Sequence, residues 1–267
     1  MTISVVIPTL NEERTLRTTL TRAAESGFDE VIVVDGGSMD RTRQIVTELR
    51  VTSDALPVNP HLPPVTGHPS FDGLSLRRAQ PSRTPSPIEG SRVTLLTASP
   101  GRAFQMNAGA AASRGQILLF LHADTLLPPD ARSAIEKTLQ DPAYVGGRFD
   151  VRFERDSGLG RLIGCLINLR SRWTGIATGD QAIFLRRSVF ERLGGFSDIP
   201  IMEDVDLSRR LKRIGPVAAL RLQVVTSFRR WDACGPIRTI ALMWALRFLY
   251  WVGISPGRLA RVYASVR

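Results

Sequence analysis

Cysteine is scarce. Cys165 and Cys234 are the only two in 267 residues, too few to staple a chain of this size, so no disulfide framework is expected and a reducing compartment is the simple reading. Of the three histidines, His61 and His68 lie in one proline-rich stretch far from His122, which excludes a histidine cluster for tight transition-metal binding. No segment reaches about 18 uninterrupted apolar residues, so no membrane-spanning helix is expected. The opening MTISVVIPTLNEE has no basic start, and Pro8 cuts its apolar run short; it does not read as a signal peptide. These absences point to a cytoplasmic chain.

Lysine is nearly missing as well. Of 35 Lys+Arg, only Lys137 and Lys212 are lysine, and the net charge is +10. Such a balance favours anionic partners: nucleotide phosphates, phospholipid headgroups or nucleic acid. A genome-wide arginine bias spread over a solvated surface is the bland alternative. No base-reading motif accompanies the charge, so nucleic acid is set aside as a partner. At 43% hydrophobic, the chain can bury one substantial core in a single elaborated domain.

The stretch around which the rest is organised is QILLFLHADT, Gln116 to Thr125. Its short apolar run, Ile117 to Leu121, predicts a strand buried on both faces of a mostly parallel sheet. Asp124 then lies at the carboxyl end, where open α/β sheets bind ligands. It either holds a divalent cation against phosphates, as hard cations prefer oxygen donors, or opens a turn before Pro128-Pro129.

Towards the amino terminus, Ile3 to Ile7 predicts a buried strand, followed by a helix capped by Asn11 with Glu12 and Glu13 in its first turn. Leu16, Leu20 and Ala23/Ala24 form the apolar face of that helix, and Gly27 ends it. A second strand, Val31 to Val34, stops at Asp35-Gly36-Gly37-Ser38-Met39-Asp40, and a helix runs from about 41 to 50. The β-α-β-α order with polar strand ends predicts a Rossmann-like fold, a mostly parallel central sheet flanked by helices. Residues 52–91 hold eight of the 17 prolines and no apolar periodicity. They read as an inserted disordered loop.

Beyond the insertion, strands are expected at 93–96, at 145–153 (antiparallel), at 182–185 and, as one or two edge strands, across 217–225. Helices are expected at about 101–110, 130–140 and 159–173, in a short segment capped by Ser188, and from 202 to about 214. On the first of these, Arg102, Gln105 and Asn107 cannot all face a core, so some should face the ligand crevice. A long helix, 237–252, and a shorter one from 256 close the chain. Residues 1–235 then form the main domain, and 236–267 a helical segment packed on it or on a membrane surface.

Four polar clusters lie at strand or helix ends: Thr9 to Glu12, Asp35 to Asp40, His122 to Asp124, and Glu203-Asp204. In this order, IPTLNEE, VIVVDGGSMDRT, the HAD tripeptide and GGFSDIPIMEDVDLSRRLKRIG resemble the motifs of a family 2 glycosyltransferase with the GT-A fold. HAD stands where the family has its DXD motif. GRAFQMNAGA, LLFLHADT, TGDQAIFLRR and TSFRRW resemble a bacterial subgroup of small soluble members.

The resemblance implies inverting transfer of a sugar from a nucleotide-sugar donor to a hydroxyl acceptor. Asp124 would be the metal ligand, for Mg2+ or Mn2+. Pro8, Thr9, Asn11, Glu12, Asp35, Gly36, Ser38 and Asp40 would line the nucleotide pocket together with Arg102, Gln105, His122 and Ala123. A carboxylate at Asp35 suits the imide edge of uracil, hence a UDP donor. The general base would be Asp204 with Glu203 beside it, since two adjacent carboxylates can raise one pKa towards the working range. Gly179, Asp180, Arg229, Arg230 and Trp231 would lie near sugar or acceptor, although a surface role for the last three stays open. His122 departs from the family's first aspartate, which implies weak metal affinity without nucleotide.

The final long helix, with Trp244, Phe248, Tyr250 and Trp251 between Arg238 and Arg247, suits an interfacial helix on an anionic membrane. A core or dimer-facing helix is the alternative, so a lipid-linked acceptor and a peripheral place on the inner face of the plasma membrane stay open. Two other classes compete: a sugar-phosphate nucleotidyltransferase, which lacks its glycine-rich basic loop here, and a non-catalytic carbohydrate- or membrane-binding relative.

Overall fold

A computed structural model of the chain describes residues 1–51, 92–155 and 158–266, so the reading of 52–91 as an insertion lies outside the described residues. Eight strands form one sheet, in the order β3-β2-β1-β4-β7-β6-β8-β5. β1 (Ile3–Thr9), β2 (Glu30–Asp35), β3 (Arg92–Thr97) and β4 (Ile117–Phe120) run parallel. Their apolar runs are continuous because both faces are covered. Ile3, Val5 and Ile7 point into one core, shared with α1 (Leu16–Glu25) and α4 (Ala131–Gln140). Val6, Ile32, Leu118 and Phe120 point into the other, shared with α3 (Arg102–Ala112), α6 (Arg187–Arg192) and α7 (Glu203–Leu211). α3 lies so close that a Cβ on Gly109 would sit 2.4 Å from Val6 Cγ1.

Beyond β4 the sheet turns mixed. β7 (Ile183–Arg186) is antiparallel to β4 and to β6 (Gly146–Phe153). The antiparallel pairing expected of β6 covers only Gly146 and Gly147, and the rest of the strand runs parallel to β8 (Val217–Thr226). β8 is one strand and not an edge: it lies between β6 and the two-residue β5 (Thr125–Leu126). Its partly buried pattern misled the sequence reading, because a strand covered by so short an edge strand keeps exposed positions.

Two predicted caps are corrected. Asn11 does not cap α1, which starts at Leu16 behind a turn. It adopts φ 54° and its Oδ1 accepts the Met39 N–H at 2.9 Å, a left-handed conformation that asparagine tolerates. Ser188 lies inside α6, whose cap position is Arg186.

The remaining helices are α2 (Thr42–Val51), α5 (Gly158–Thr174), α8 (Arg229–Cys234), α9 (Pro236–Trp251) and α10 (Pro256–Val266). α9 and α10 bury Leu246 and Leu259 against Met202, at the start of α7, and Val205, within it. The sequence reading had no counterpart to α8. Among the described residues no helix is long and apolar enough to cross a membrane, and both cysteines are unpaired.

Candidate active site

The strand order explains which residues meet. β1, β2 and β4 end on the same edge of the sheet, so Thr9, Asp35 and the 122–124 segment share a rim. Because β7 runs antiparallel to β4, with Phe120 opposite Ile183, the 3₁₀ turn Gly179–Gln181 just before β7 lands on that rim. β8 ends opposite β5, with Thr226 against Thr125, and Ser227 N–H donates to the Asp124 carbonyl at 3.2 Å. This places the first residue of α8, Arg229, over the site.

Asp124, Glu12 and Arg229 form one contact group. Arg229 Nη2 donates to Glu12 Oε2 at 2.7 Å and lies 3.7 Å from Asp124 Oδ2. Burial pushes the Asp124 carboxyl up from its usual range, and the negative charges of Asp180 and Glu12 push further, against Arg229 and Arg102. An excess of negative charge around a partly buried carboxylate is where a cation would be favourable. Among the described residues no three acidic, histidine or cysteine side chains are grouped to hold a metal. A divalent ion at Asp124 would therefore complete its oxygen shell from the ligand and water, and the donor set fits an ion that arrives with a diphosphate.

His122 packs edge-on into the 3₁₀ turn: a Cβ on Gly179 would lie 2.1 Å from His122 Nε2, and His122 Nδ1 is 3.9 Å from Asp180 Oδ1. The turn is shaped by a capping box between Thr178 and Gln181. Gly179 N–H donates to Asp204 Oδ2 at 2.7 Å, while Val205 N–H donates to Oδ1 at 2.7 Å. Asp204 is thus oriented by two backbone amides at the amino end of α7. The residue before the pair, Met202, is buried and held at φ 71°, a conformation costing on the order of 1 kcal/mol or more in a non-glycine residue and concentrated at functional sites. Glu203 is 5% exposed. Burial pushes its carboxyl up to about 7, Asp204 adds to the effect, and Arg102, whose Nη1 lies 3.8 Å away, acts against it. Glu203, Asp204 and Asp180 all bear on the Arg102 guanidinium, which also acts on Asp124. The residues at 124 and 203–204 thus belong to one electrostatic cluster.

The β1 and β2 ends form the other half of the rim. Pro8 and Thr9 are buried in β1. Asp35 has no exposed surface; its carboxylate accepts the N–H groups of Gly37 and Ser38 at 3.1–3.2 Å, and Gly36 N–H donates to the Thr9 carbonyl at 2.9 Å. Ser38 Oγ accepts from Asn11 N–H. Ala123 is buried and its carbonyl takes the Thr19 hydroxyl.

Three residues expected at the ligand are committed elsewhere. Gln105 is 3% exposed, and its Nε2 donates to the Thr9 and Val34 carbonyls at 2.7 and 2.8 Å, pinning the two strand ends together. Asp40 accepts the Thr42 and Glu13 amides and starts α2. Trp231 packs against Phe153 and Phe228, with ring centroids 5.6 and 6.0 Å away. The side chain of Arg230 is outside the described residues.

Sequence reading flagged Asn107 without giving it a role. Its amide brackets Phe196, accepting the N–H and donating to the carbonyl, both at 2.9 Å, and so fixes the loop that leads to Met202. Of the Arg-x-x-Gln-x-Asn trio, only Arg102 faces the cluster. Helical spacing shows that these residues share a helix, but not which backbone groups they meet.

Residues 4–59 match the family model described as Glycosyl transferase family 2. The chain is 27% identical over 229 residues to the probable glycosyltransferase YdaM of Bacillus subtilis (strain 168), covering 80% of this chain and 47% of that protein. It is 28% identical over 204 residues to an undecaprenyl-phosphate 4-deoxy-4-formamido-L-arabinose transferase of Pseudomonas aeruginosa, covering 72% and 49%. The chain thus spans about half the length of the curated relatives it matches. Among solved structures it is similar to the mannosyltransferase PcManGT from Pyrobaculum calidifontis in complex with GDP-Man and Mn2+ (TM-score 0.57, 21% identity, 99% of this chain and 69% of that one). It is also similar to S. aureus TarS 1-349 in complex with UDP-GlcNAc (TM-score 0.54, 17% identity, 85% and 58%). The chain is thus similar to family 2 glycosyltransferases over the stretch that the family model matches and along the curated relatives, and it shares the GT-A fold of the solved structures.

Proposed function

We propose that the chain transfers a sugar from a nucleotide-sugar, a UDP-sugar by our reading, to a hydroxyl acceptor with inversion at the anomeric carbon. The observation that carries this is the single cluster joining Asp124 to the Glu203–Asp204 pair through Asp180 and Arg102. The acceptor oxygen forms its bond to the anomeric carbon as the bond to the diphosphate breaks, and the nucleoside diphosphate leaves with the electron pair. Asp204, held by the Gly179 and Val205 amides, takes the acceptor proton. Burial, with the charge of Asp204 adding to it, pushes the neighbouring Glu203 carboxyl up to about 7, which lowers the negative charge crowded beside the base at neutral pH.

On the donor side Asp124 would hold Mg2+ or Mn2+, which supplies Lewis-acid stabilisation of the leaving phosphates. Arg229 is free to swing from Glu12 onto the diphosphate, a charge-assisted contact. Asp35 recognises the base only if the 36–38 turn parts from its carboxylate, and Gln105 keeps the strand ends fixed while it does. PcManGT and TarS, solved with GDP-Man and UDP-GlcNAc respectively, support a nucleotide-sugar donor and leave the base to be determined by assay.

The acceptor side favours a lipid-linked substrate presented at an anionic membrane. α5 exposes Leu159, Leu162, Leu166, Leu169 and Trp173 at intervals of three and four residues, and α9 exposes Ile237, Trp244, Phe248 and Trp251. Ile163 and Ile167 of α5 and Ile240 of α9 belong to one apolar cluster with Phe153, Phe228 and Trp231. Neither α5 nor any residue from 233 onward is acidic, a composition suited to anionic lipid. The main unit, 1–235, with the 236–267 helices packed on it, would dock by this surface.

The deciding experiment screens UDP- and GDP-sugars with and without Mn2+ by thermal stabilisation, then follows nucleoside diphosphate release. Asp124→Ala is expected to abolish the Mn2+-dependent binding. Asp204→Asn is expected to keep binding and lose turnover by about 10²-fold or more. Normal turnover in Asp204→Asn removes it as the base.

A further inference from the structure

Among the arginines of the described residues that bury side-chain nitrogens, Arg170 on α5 stands apart. Its Nε and Nη2 are buried without a hydrogen-bond partner among those residues, and Nη1 reaches only the Ile176 carbonyl, at 3.4 Å. Arg148 and Arg210 also carry an unpartnered Nη2, yet each is paired to a carboxylate, Asp150 and Asp206 respectively. Arg170 has no such pairing among the described residues. Burial and the positive charge of Arg247 lower its pKa to about 10, which leaves it charged at neutral pH.

Arg247 follows Leu246, which packs in the same cluster as Ile176, the residue whose carbonyl Arg170 touches. The Arg247 charge is near enough to act on Arg170, and α9 has no acidic residue of its own to pair with Arg247. The carboxylates that do act on Arg170 are Asp204 and Asp180, so Arg170 adjoins the acceptor side of the candidate site. Water could satisfy the unpartnered donors, but it would not neutralise two like charges held together. A tetrahedral oxyanion does both, and a guanidinium fork suits it.

We propose that Arg170 and Arg247 form a subsite for a phosphate group carried by the acceptor. The inference rests on the transfer reading above, and it sharpens the acceptor from a hydroxyl compound to a phosphorylated one. The two cations also offset the repulsion between that phosphate and Asp204.

The test uses the full chain and calorimetric titration with three probes: geranyl phosphate, geraniol and inorganic phosphate. Geranyl phosphate is expected to bind, geraniol to bind at least tenfold more weakly, and Arg170→Gln and Arg247→Gln each to weaken geranyl phosphate by about 10- to 100-fold. Arg170→Lys should recover part of the loss. If inorganic phosphate follows the same variant pattern, a small phosphorylated acceptor suffices; if only geranyl phosphate does, the source is a lipid phosphate. Either result supports the subsite. Arg247 is half-buried, so its variant remains informative if Arg170→Gln fails to fold. Unchanged affinity in both glutamine variants, or a loss produced by Arg229→Gln instead, overturns the proposal. Mn2+-dependent nucleotide binding, measured on the same samples, reports separately on the transfer reading.

Discussion

Replacing Glu203 by glutamine tests the electrostatics of the cluster without a ligand. The carboxyl moves from an ordinary value of 4.5 to about 7 in the fold, burial being the largest cause, Asp204 the next, and Arg102 opposing both. Between those two values the folded state holds a proton that the unfolded chain has released, so stability falls as pH rises through that window and the full cost is reached above pH 7. A tenfold change in proton affinity corresponds to about 1.4 kcal/mol, which makes the cost about 1 kcal/mol at pH 5.5 and up to about 3 kcal/mol at pH 8.5. Glutamine resembles the neutral acid and never ionises. Glu203→Gln should therefore gain about 2 kcal/mol on the wild type between those pH values, a relative rise in Tm of about 4–8 °C for a domain of this size. The measurement is differential scanning calorimetry of the metal-free protein at both pH values, and using the pH difference cancels any constant packing effect of the amide. If the Arg102 contact were the stronger influence, the variant would instead lose ground as pH rises. A difference independent of pH, or one that shrinks towards pH 8.5, refutes the account of a buried, repelled carboxyl.

Gly179→Ala should cost about 1–3 kcal/mol, because its Cβ would meet His122 Nε2 at 2.1 Å and a rigid ring has nowhere cheap to go. In a double-mutant cycle His122→Ala should recover most of that loss, and strictly additive effects in chemical denaturation would contradict the contact. Vesicles of phosphatidylglycerol should co-float the protein while pure phosphatidylcholine does not, and Leu169→Glu with Trp244→Glu should cut binding at least tenfold, since both residues are 65% exposed on the apolar surface. A concentration-dependent dimer dispersed by those substitutions, with no vesicle binding, would assign the surface to a second copy of the chain.

Much of the architecture follows from local pattern. Ile3 to Ile7, Val31 to Val34 and Ile117 to Leu121 are apolar at nearly every position because parallel strands bury both faces, and that signal needs no tertiary information. Polar residues just past such strands mark a crevice for the same reason: the helices leave the strand ends uncovered. Motif resemblance then added the order of the clusters. What local pattern could not decide was pairing at a distance. Which half of the sheet turns antiparallel depends on β7 lying beside β4, which places Gly179 under His122, while the pairing of β8 with β5 places Arg229 over Asp124. Gln105 and Asn107 look like ligand contacts in sequence because they are polar on an otherwise small-sided helix. Their partners, the carbonyls of Thr9 and Val34 and the backbone of Phe196, exist as a set only once the strands and the loop have assembled. The raised pKa of the Glu203 carboxyl and the unpartnered Nε and Nη2 of Arg170 likewise belong to the tertiary structure, since burial and neighbouring charge are properties of packing and not of the residue alone.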